Sequence, residues 1–371
     1  MHTLELSRYP SINSLLKDLM DFNISIKGVL SGINPGTVYV DQPDMPQLVM
    51  LISPEGTYIA GTSPSDQQIA LLKKHIIHLM DGGIEALWLT CHPAWQAVLD
   101  DIFTRPPLPI MRQHYICTTP AFNWRSHIPE GFAIHRIDEA LLARKDLLIP
   151  EHVHDWIENN WTTQENFLTH GFGFVTEALD LHQIVSWSLC DCIGERTCEI
   201  GIHTHPEYRR RGFAALTSAA AVEHALTQGM NLVGWHCNTD NIGSQATALK
   251  VGFTHERDYV SFAAFQREAV HWAEAGRIRQ VAGDYSGAAE CYVRADSCDD
   301  KPAWGHYIPY YAACAFASQG DYASAWTWLH RAVAQGFDDV ATLHDSDELI
   351  PMHTTPQWNS LIESIHDNTS R

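Results

Sequence analysis

The chain has 371 residues, 45% of them hydrophobic and 18% charged, which is enough for two or three globular domains. Its 24 Lys and Arg face 44 Asp and Glu, a formal charge of −20. That balance argues against nucleic acid as the main partner and disfavours an anionic membrane, because binding phosphates requires a net basic face.

The first 125 residues read as one α/β unit. "SINSLLKDLM" forms a short helix, and strands follow at 36–41, 48–53 and 57–62, with Pro54–Gly56 as the hairpin turn between the last two. Ser65 caps a helix in which Ile69, Leu72, Ile76 and Leu79 recur at helical spacing. A strand at 86–91, a helix opened by Pro93 and a strand at 109–118 complete the unit. After a linker at 122–131, residues 126–265 give a strand, a helical stretch over 139–170, and strands at 171–179, 183–190 and 198–205. A loop, a helix to about Gln228, a strand at 231–237, a helix at 241–252 and a strand at 254–265 follow. The second half of this order repeats that of the first unit, so the chain holds two related α/β units in tandem. No apolar run is long enough for a transmembrane helix, and charges interrupt the N-terminus where a signal peptide needs apolar residues. Nine scattered cysteines without a C-x-x-C pair are expected to be reduced thiols, so a cytoplasmic protein is expected.

From Gln266 onward the chain is Ala-rich and poor in strand signals. "GDYSGAAECYVRA" begins at Gly283 and "GDYASAWTWLHRA" at Gly320, an offset of 320 − 283 = 37 residues. This is the pattern of a tetratricopeptide-like helical hairpin. Gly283 and Gly320 turn the chain, Asp284 and Asp321 start the next helices, and Tyr285, Ala288 and Tyr292 face the preceding helix.

The sharpest chemical signal is "CEIGIHTHPEYRRRGFAAL" at 198–216. A strand enters a loop with the spacing Arg209-x-x-Gly212-x-Ala214, and a helix opens at once. Such a loop aims backbone amides outward at a helix N-terminus, where the dipole favours anions. Gly212 and Ala214 let a ligand approach closely, and Arg209, Arg210 and Arg211 add three positive charges. A pyrophosphate suits that turn.

This segment resembles motif A of the GNAT acetyltransferase family, and "NTDNIGSQATALKVGF" at 238–253 resembles the family's next motif, with Asn241, Ser244 and Gly252-Phe253 in place. The resemblance implies an α/β (α+β) fold of tandem GNAT-like units, each a mixed, mostly antiparallel sheet flanked by helices. It divides the chain into a degenerate unit at 1–125, an acetyltransferase unit at 126–265 and the all-α tetratricopeptide-like tail at 266–371. The first unit reads "SPSDQQIALL" after its "YIAGT" strand and lacks the Arg/Gly loop, so it is not expected to bind coenzyme A.

By the same resemblance the chain is an acyltransferase that carries an acetyl group from acetyl-CoA to an amine in a ternary complex. Backbone groups at Ile202, His203 and Thr204 meet the pantetheine arm. Arg209, Arg210, Arg211, Gly212, Phe213 and Ala214 hold the pyrophosphate, with Asn241 and Ser244 beside the cofactor. The strand at 231–237 splays away to make room. An amine with a pKa of about 10.4 must lose a proton before it attacks. Glu199 is the first candidate base and His203 the second; a purely structural Glu199 paired with an Arg is the competing reading. The family's leaving-group tyrosine is replaced by Ala248, so Ser244, Cys237 or Tyr259 takes that role or the thiolate leaves unprotonated. "HTH" at 203–205 with His236 and Cys237 reads as cleft lining or core, and no metal is assigned. The acidic surface points to a cationic acceptor, a small molecule or a peptide amine. The alternative is a catalytically weak CoA-binding sensor or scaffold that meets a protein partner through its C-terminal repeats.

Overall fold

The computed structural model describes residues 1–369. Two compact units emerge: residues 1–77 with 87–262, and residues 78–86 with the chain from Ala263 onward. The nine cysteines are thiols, and all but Cys298 are buried. Among the described residues no helix is long and apolar enough to cross a membrane.

One sheet organises the first unit. Its strands are β1 (His2–Thr3), β2 (Thr37–Val40), β3 (Leu48–Ser53), β4 (Gly56–Gly61), β5 (Ala86–Cys91), β6 (Leu108–Cys117), β7 (Phe132–Arg136), β8 (Gly173–Ala178), β9 (Gln183–Gly194), β10 (Thr197–Thr204), β11 (Leu232–Asn238) and β12 (Thr254–Phe265). The spatial order is β1-β2-β3-β4-β5-β12-β6-β11-β10-β9-β8-β7. β4 pairs with β5, and β10 with β11, in parallel; β6 is antiparallel to β11. The fold is thus mixed α/β, with a large mixed sheet flanked by helices and a run of helices at the C-terminal end. β6, the last strand before residue 125, lies between β12 and β11 from the later segment, so the segments before and after residue 125 share a single sheet.

The expected strands fall close to their places. β5 occupies 86–91 and β12 spans 254–265, where apolar and polar residues alternate as a half-buried strand requires. The helices depart more. The stretch after Pro93 breaks into two four-residue turns, Pro93–Gln96 and Leu99–Ile102. Residues 139–170 hold three helices, and Ile24–Leu30 adds a helix that β-branched residues and Gly28 disguise. Gly28 is required there: a Cβ would lie 2.4 Å from Asn34 Oδ1 and 2.9 Å from the Ile193 carbonyl.

The main apolar cluster of the first unit packs the helices Phe213–Thr227 and Glu151–Trp161 on β8–β11, around Trp161, Phe167, Trp187, Phe213 and Trp235. Fully burying such aromatics contributes about 1.5–3 kcal/mol each. A second cluster lies under the first strands, around Ile12, Leu16, Ile26 and Val38.

The second unit is helical. Gly283 and Gly320 turn at φ +80° and +79°, and Asp284 and Asp321 cap the next helices by accepting from the amides of Gly287 at 3.0 Å and Ser324 at 3.1 Å. Gly276 leaves the space that the Tyr292 ring enters; a Cβ there would lie 2.7 Å from it. Tyr285 is the exception to the expected packed face: at the first helical position it stays 37% exposed. Buried Asp296 is paired with Lys301 at 2.8 Å and with Arg331.

Candidate active site

β10 changes partner along its length. Thr197, Cys198 and Glu199 pair in parallel with Leu232, Val233 and Gly234 of β11, and the pairing stops there. A bulge against β9 falls at the same point, between Glu199 and Ile200. From Ile200 to Thr204 the strand pairs only with β9, so Ile202, His203 and Thr204 have no strand partner on the β11 side, where a wedge opens; the His203 carbonyl accepts from Ser186 Oγ at 3.0 Å and the Thr204 carbonyl from Arg209. The expected splay of β11 from β10 is present.

Beyond β10 the chain turns through Arg209–Gly212. Arg210 has φ +60° and Gly212 φ +88°, left-handed values that aim the following amides out of the turn. Gly212 is the N-cap of the Phe213–Thr227 helix and supplies no side-chain cap, so the first amides of that helix have no capping side chain. A Cβ on Gly212 would find only Lys250 Nζ within 4 Å, at 3.7 Å. The three arginines diverge. Arg209 Nε donates to the Thr204 carbonyl at 3.2 Å, and Arg210 is exposed. Arg211 lies over the rings of Tyr208, Phe213 and Phe132 at 5.1, 5.3 and 5.4 Å. Asn241 Oδ1 accepts from the Ser244 amide at 3.0 Å and caps the next helix. Ser244 Oγ accepts from Trp235 Nε1 at 3.0 Å. Open space at a glycine, uncapped amides and a cationic turn fit the diphosphate of a coenzyme A thioester.

At the vertex of the wedge sits Glu199, 4% exposed. Its Oε1 accepts from the Ile24 amide at 2.8 Å and from His236 Nε2 at 3.2 Å. Burial pushes its carboxyl up, but His236, the Ile24 amide and His114 outweigh that and hold it below the usual carboxylate range. His236 Nδ1 meets the Tyr259 hydroxyl at 2.9 Å. His114, stacked on His236 with ring centroids 4.4 Å apart, donates through Nδ1 to Glu256 at 2.6 Å. Burial first, and the neighbouring His236 next, lower the His114 pKa to about 4. A cavity of about 20 Å³ borders Glu199, His236 and Tyr259, room for one water.

A larger cavity of about 720 Å³ is lined by Glu55, His152, Asp155, Trp156, Asn160 and Asp191. It adjoins β10 on the Glu199 face: a Cβ on Gly201 would strike Trp156 at 2.2 Å and Asp191 Oδ2 at 2.9 Å. Asp191 accepts from Trp156 Nε1 at 2.6 Å and Asn160 Nδ2 at 3.2 Å, and Glu55 accepts from the same amide at 2.9 Å. Burial first, then the charge of Glu199, push the Glu55 carboxyl up to about 7. Burial and Glu55 push Asp191 well above its usual value. Three carboxylates crowded this closely favour a cation among them.

The residues singled out in sequence thus fall into two groups. Ile202–Thr204 and Arg209–Ala214 lie along the edge that no strand covers and the turn that follows it. Asn241 and Ser244 start the helix whose Lys250 reaches the turn. Glu199 stands at the vertex. His203 instead stacks on Trp187 at 4.6 Å and near His152 at 4.9 Å, along the wall toward the larger cavity. Glu55, Asp191, Asn160 and His114 were not singled out by sequence. Arg112, Gln113 and His114 form a polar run on an otherwise apolar strand, the one local signal for the last of these.

The family profile described as GNAT acetyltransferase matches residues 14–262. Among solved structures, a GCN5-related N-acetyltransferase-like protein from Streptococcus suis is 21% identical and shares the fold at a TM-score of 0.54, covering 69% of this chain and 98% of its own. A tandem GNAT protein from the clavulanic acid biosynthesis pathway is 11% identical over 71% of this chain and 97% of its own, at a TM-score of 0.47. A GCN5-related N-acetyltransferase from Sphaerobacter thermophilus is 13% identical over 72% and 95%, at 0.46. No curated protein sequence matches the chain.

Proposed function

The chain belongs to the GNAT acetyltransferase family, and on that premise we propose that it transfers the acetyl group of acetyl-CoA to a cationic amine by direct attack in a ternary complex. The observation that carries the reading is the uncapped helix start at Gly212 following a β10 edge that no strand covers from Ile200 onward.

The amides after Arg210 and Gly212 bind the diphosphate, and the β10 edge hydrogen-bonds the pantetheine arm. A β10 amide there also stabilises the oxygen that gains charge as the amine adds. Asp191 and Glu55 draw the acceptor as an ammonium. Glu199 takes the proton through the single water that its small cavity admits. The nitrogen then bonds to the acetyl carbon as the carbon–sulfur bond breaks, and the thiolate, with a pKa of about 8.5, leaves without a dedicated acid. Ala248 is buried and takes no part; Tyr259 keeps its proton, since burial raises its pKa.

The test is release of free thiol from acetyl-CoA across a panel of amines. Turnover with diamines or other cationic amines supports the reading. Tight CoA binding without turnover on any amine contradicts it and favours a sensor or scaffold.

A further inference from the structure

We propose that His114, Glu199 and His236 form a binding site for a divalent transition-metal ion of the zinc class. The proposal goes beyond acetyl transfer and does not depend on it.

The three residues come from three neighbouring strands: β6, β10 and β11. His114 and His236 are direct partners in the β6–β11 register. Glu199 pairs with Gly234, two residues from His236 on the same face of β11. Gly234 is what lets them converge. A Cβ there would lie 3.0 Å from Glu199 Cγ and 3.2 Å from His114 Nε2. One ligand atom from each residue lies within 4.8 Å of the others. The His236 Nε2 to Glu199 Oε1 distance of 3.2 Å is already close to the roughly 3.3 Å between tetrahedral zinc ligands bonded at about 2.0–2.1 Å.

His114 Nε2 supplies a second, separate observation. It belongs to a side chain 2% exposed and has no hydrogen-bond partner. Its Nδ1–H is spent on Glu256, so Nε2 carries a lone pair turned into the cluster. A buried, unsatisfied acceptor destabilises the fold, and a cation is the partner that removes this cost.

The outer contacts are those that metal-bound imidazoles use. Each histidine ligates through Nε2 while its Nδ1 is held from behind: His114 by the Glu256 carboxylate at 2.6 Å, His236 by the Tyr259 hydroxyl at 2.9 Å. Without metal, Tyr259 donates to Nδ1 and the Nε2–H of His236 donates to Glu199. With metal, His236 reverses its tautomer, donates from Nδ1 to the Tyr259 oxygen and offers Nε2 as a ligand. Two imidazoles and a carboxylate leave a fourth position, and the 20 Å³ cavity beside Glu199 and His236 holds the water to fill it. A metal here binds a Glu199 carboxylate oxygen, so the base role proposed above belongs to the metal-free centre.

The test is titration of chelator-treated full-length protein with Co²⁺ alone and then Zn²⁺ alone, followed by calorimetry and by the visible ligand-field absorption of cobalt. The expected result is one ion per chain with the intense absorption of low coordination number. His114→Ala and Glu199→Gln each weaken affinity by about 100-fold or more, and Glu256→Gln by about tenfold. Lack of stoichiometric uptake by the wild type, or uptake unchanged in His114→Ala, overturns the site. If circular dichroism shows His114→Ala misfolded, Glu256→Gln decides, since it keeps all three ligands: weakened affinity supports the site and unchanged affinity overturns it. Because the readout is metal uptake, its failure leaves the acetyl-transfer reading standing, and the reverse.

Discussion

β4 and β10 hold corresponding places in the two halves of the sheet. Each pairs in parallel with the strand on its far side for three residue pairs, β4 up to Ile59–Cys91 and β10 up to Glu199–Gly234, and each runs on into a loop and a helix. The difference lies at the helix start. After β4, Ser65 and Gln68 close the end reciprocally: Ser65 Oγ accepts from the Gln68 amide at 3.4 Å, and Gln68 Oε1 accepts from the Ser65 amide at 3.2 Å. After β10, Gly212 offers nothing to the same amides. The capping box saturates one end with its own side chains, while the glycine leaves the other end for a ligand's oxygens. A site for an anion is made here by withholding a cap, and the half that caps itself is free to do other work, such as supplying Glu55 to the larger cavity.

Breaking the chemistry at the vertex gives the largest expected effect. Glu199→Gln lowers turnover by about 10²–10⁴-fold with CoA affinity nearly unchanged; steady-state rates and calorimetry together check this. Glu199 is held below the usual carboxylate range, so it stays ionised through neutral pH. The rise of wild-type activity toward alkaline pH therefore follows the acceptor amine, and the acid limb assigned to Glu199 falls below the usual carboxylate range. Breaking the open helix start comes next. Gly212→Glu strains a position at φ +88° and sets a carboxylate where the diphosphate binds, weakening CoA by about 100-fold or more. Asp191→Asn removes an acceptor charge and raises KM for cationic amines by about tenfold, with CoA affinity unchanged. The smallest effect sharpens the contrast from the other side. Ser65→Ala costs about 1 kcal/mol of stability in a thermal melt and leaves CoA binding untouched.

Legibility followed the range of each interaction. The turn at Arg209–Gly212 is local: strand, glycine spacing and helix lie within twenty residues, so the sequence displays it whole. Glu199 was visible as an acid on the strand that leads into the turn. Asp284 and Asp321 were visible as caps because a cap needs only three residues. The broken helix after Pro93 and the helix at Ile24–Leu30 were not, since tertiary contacts outweigh weak propensities there. The interlacing of β6 between β12 and β11 has no local signal, because strand order is set by packing across the whole sheet. The same limit hid the carboxylate cluster. Glu55 reads as part of a hairpin turn, and only the fold sets it against Asn160, 105 residues away.

The most direct measurement of the central claim is a crystal structure of the protein with coenzyme A. The diphosphate is expected against the backbone amides between Arg209 and Ala214, with the pantetheine arm along the edge of β10 that no strand covers. A cofactor bound elsewhere, with that turn vacant, would contradict it.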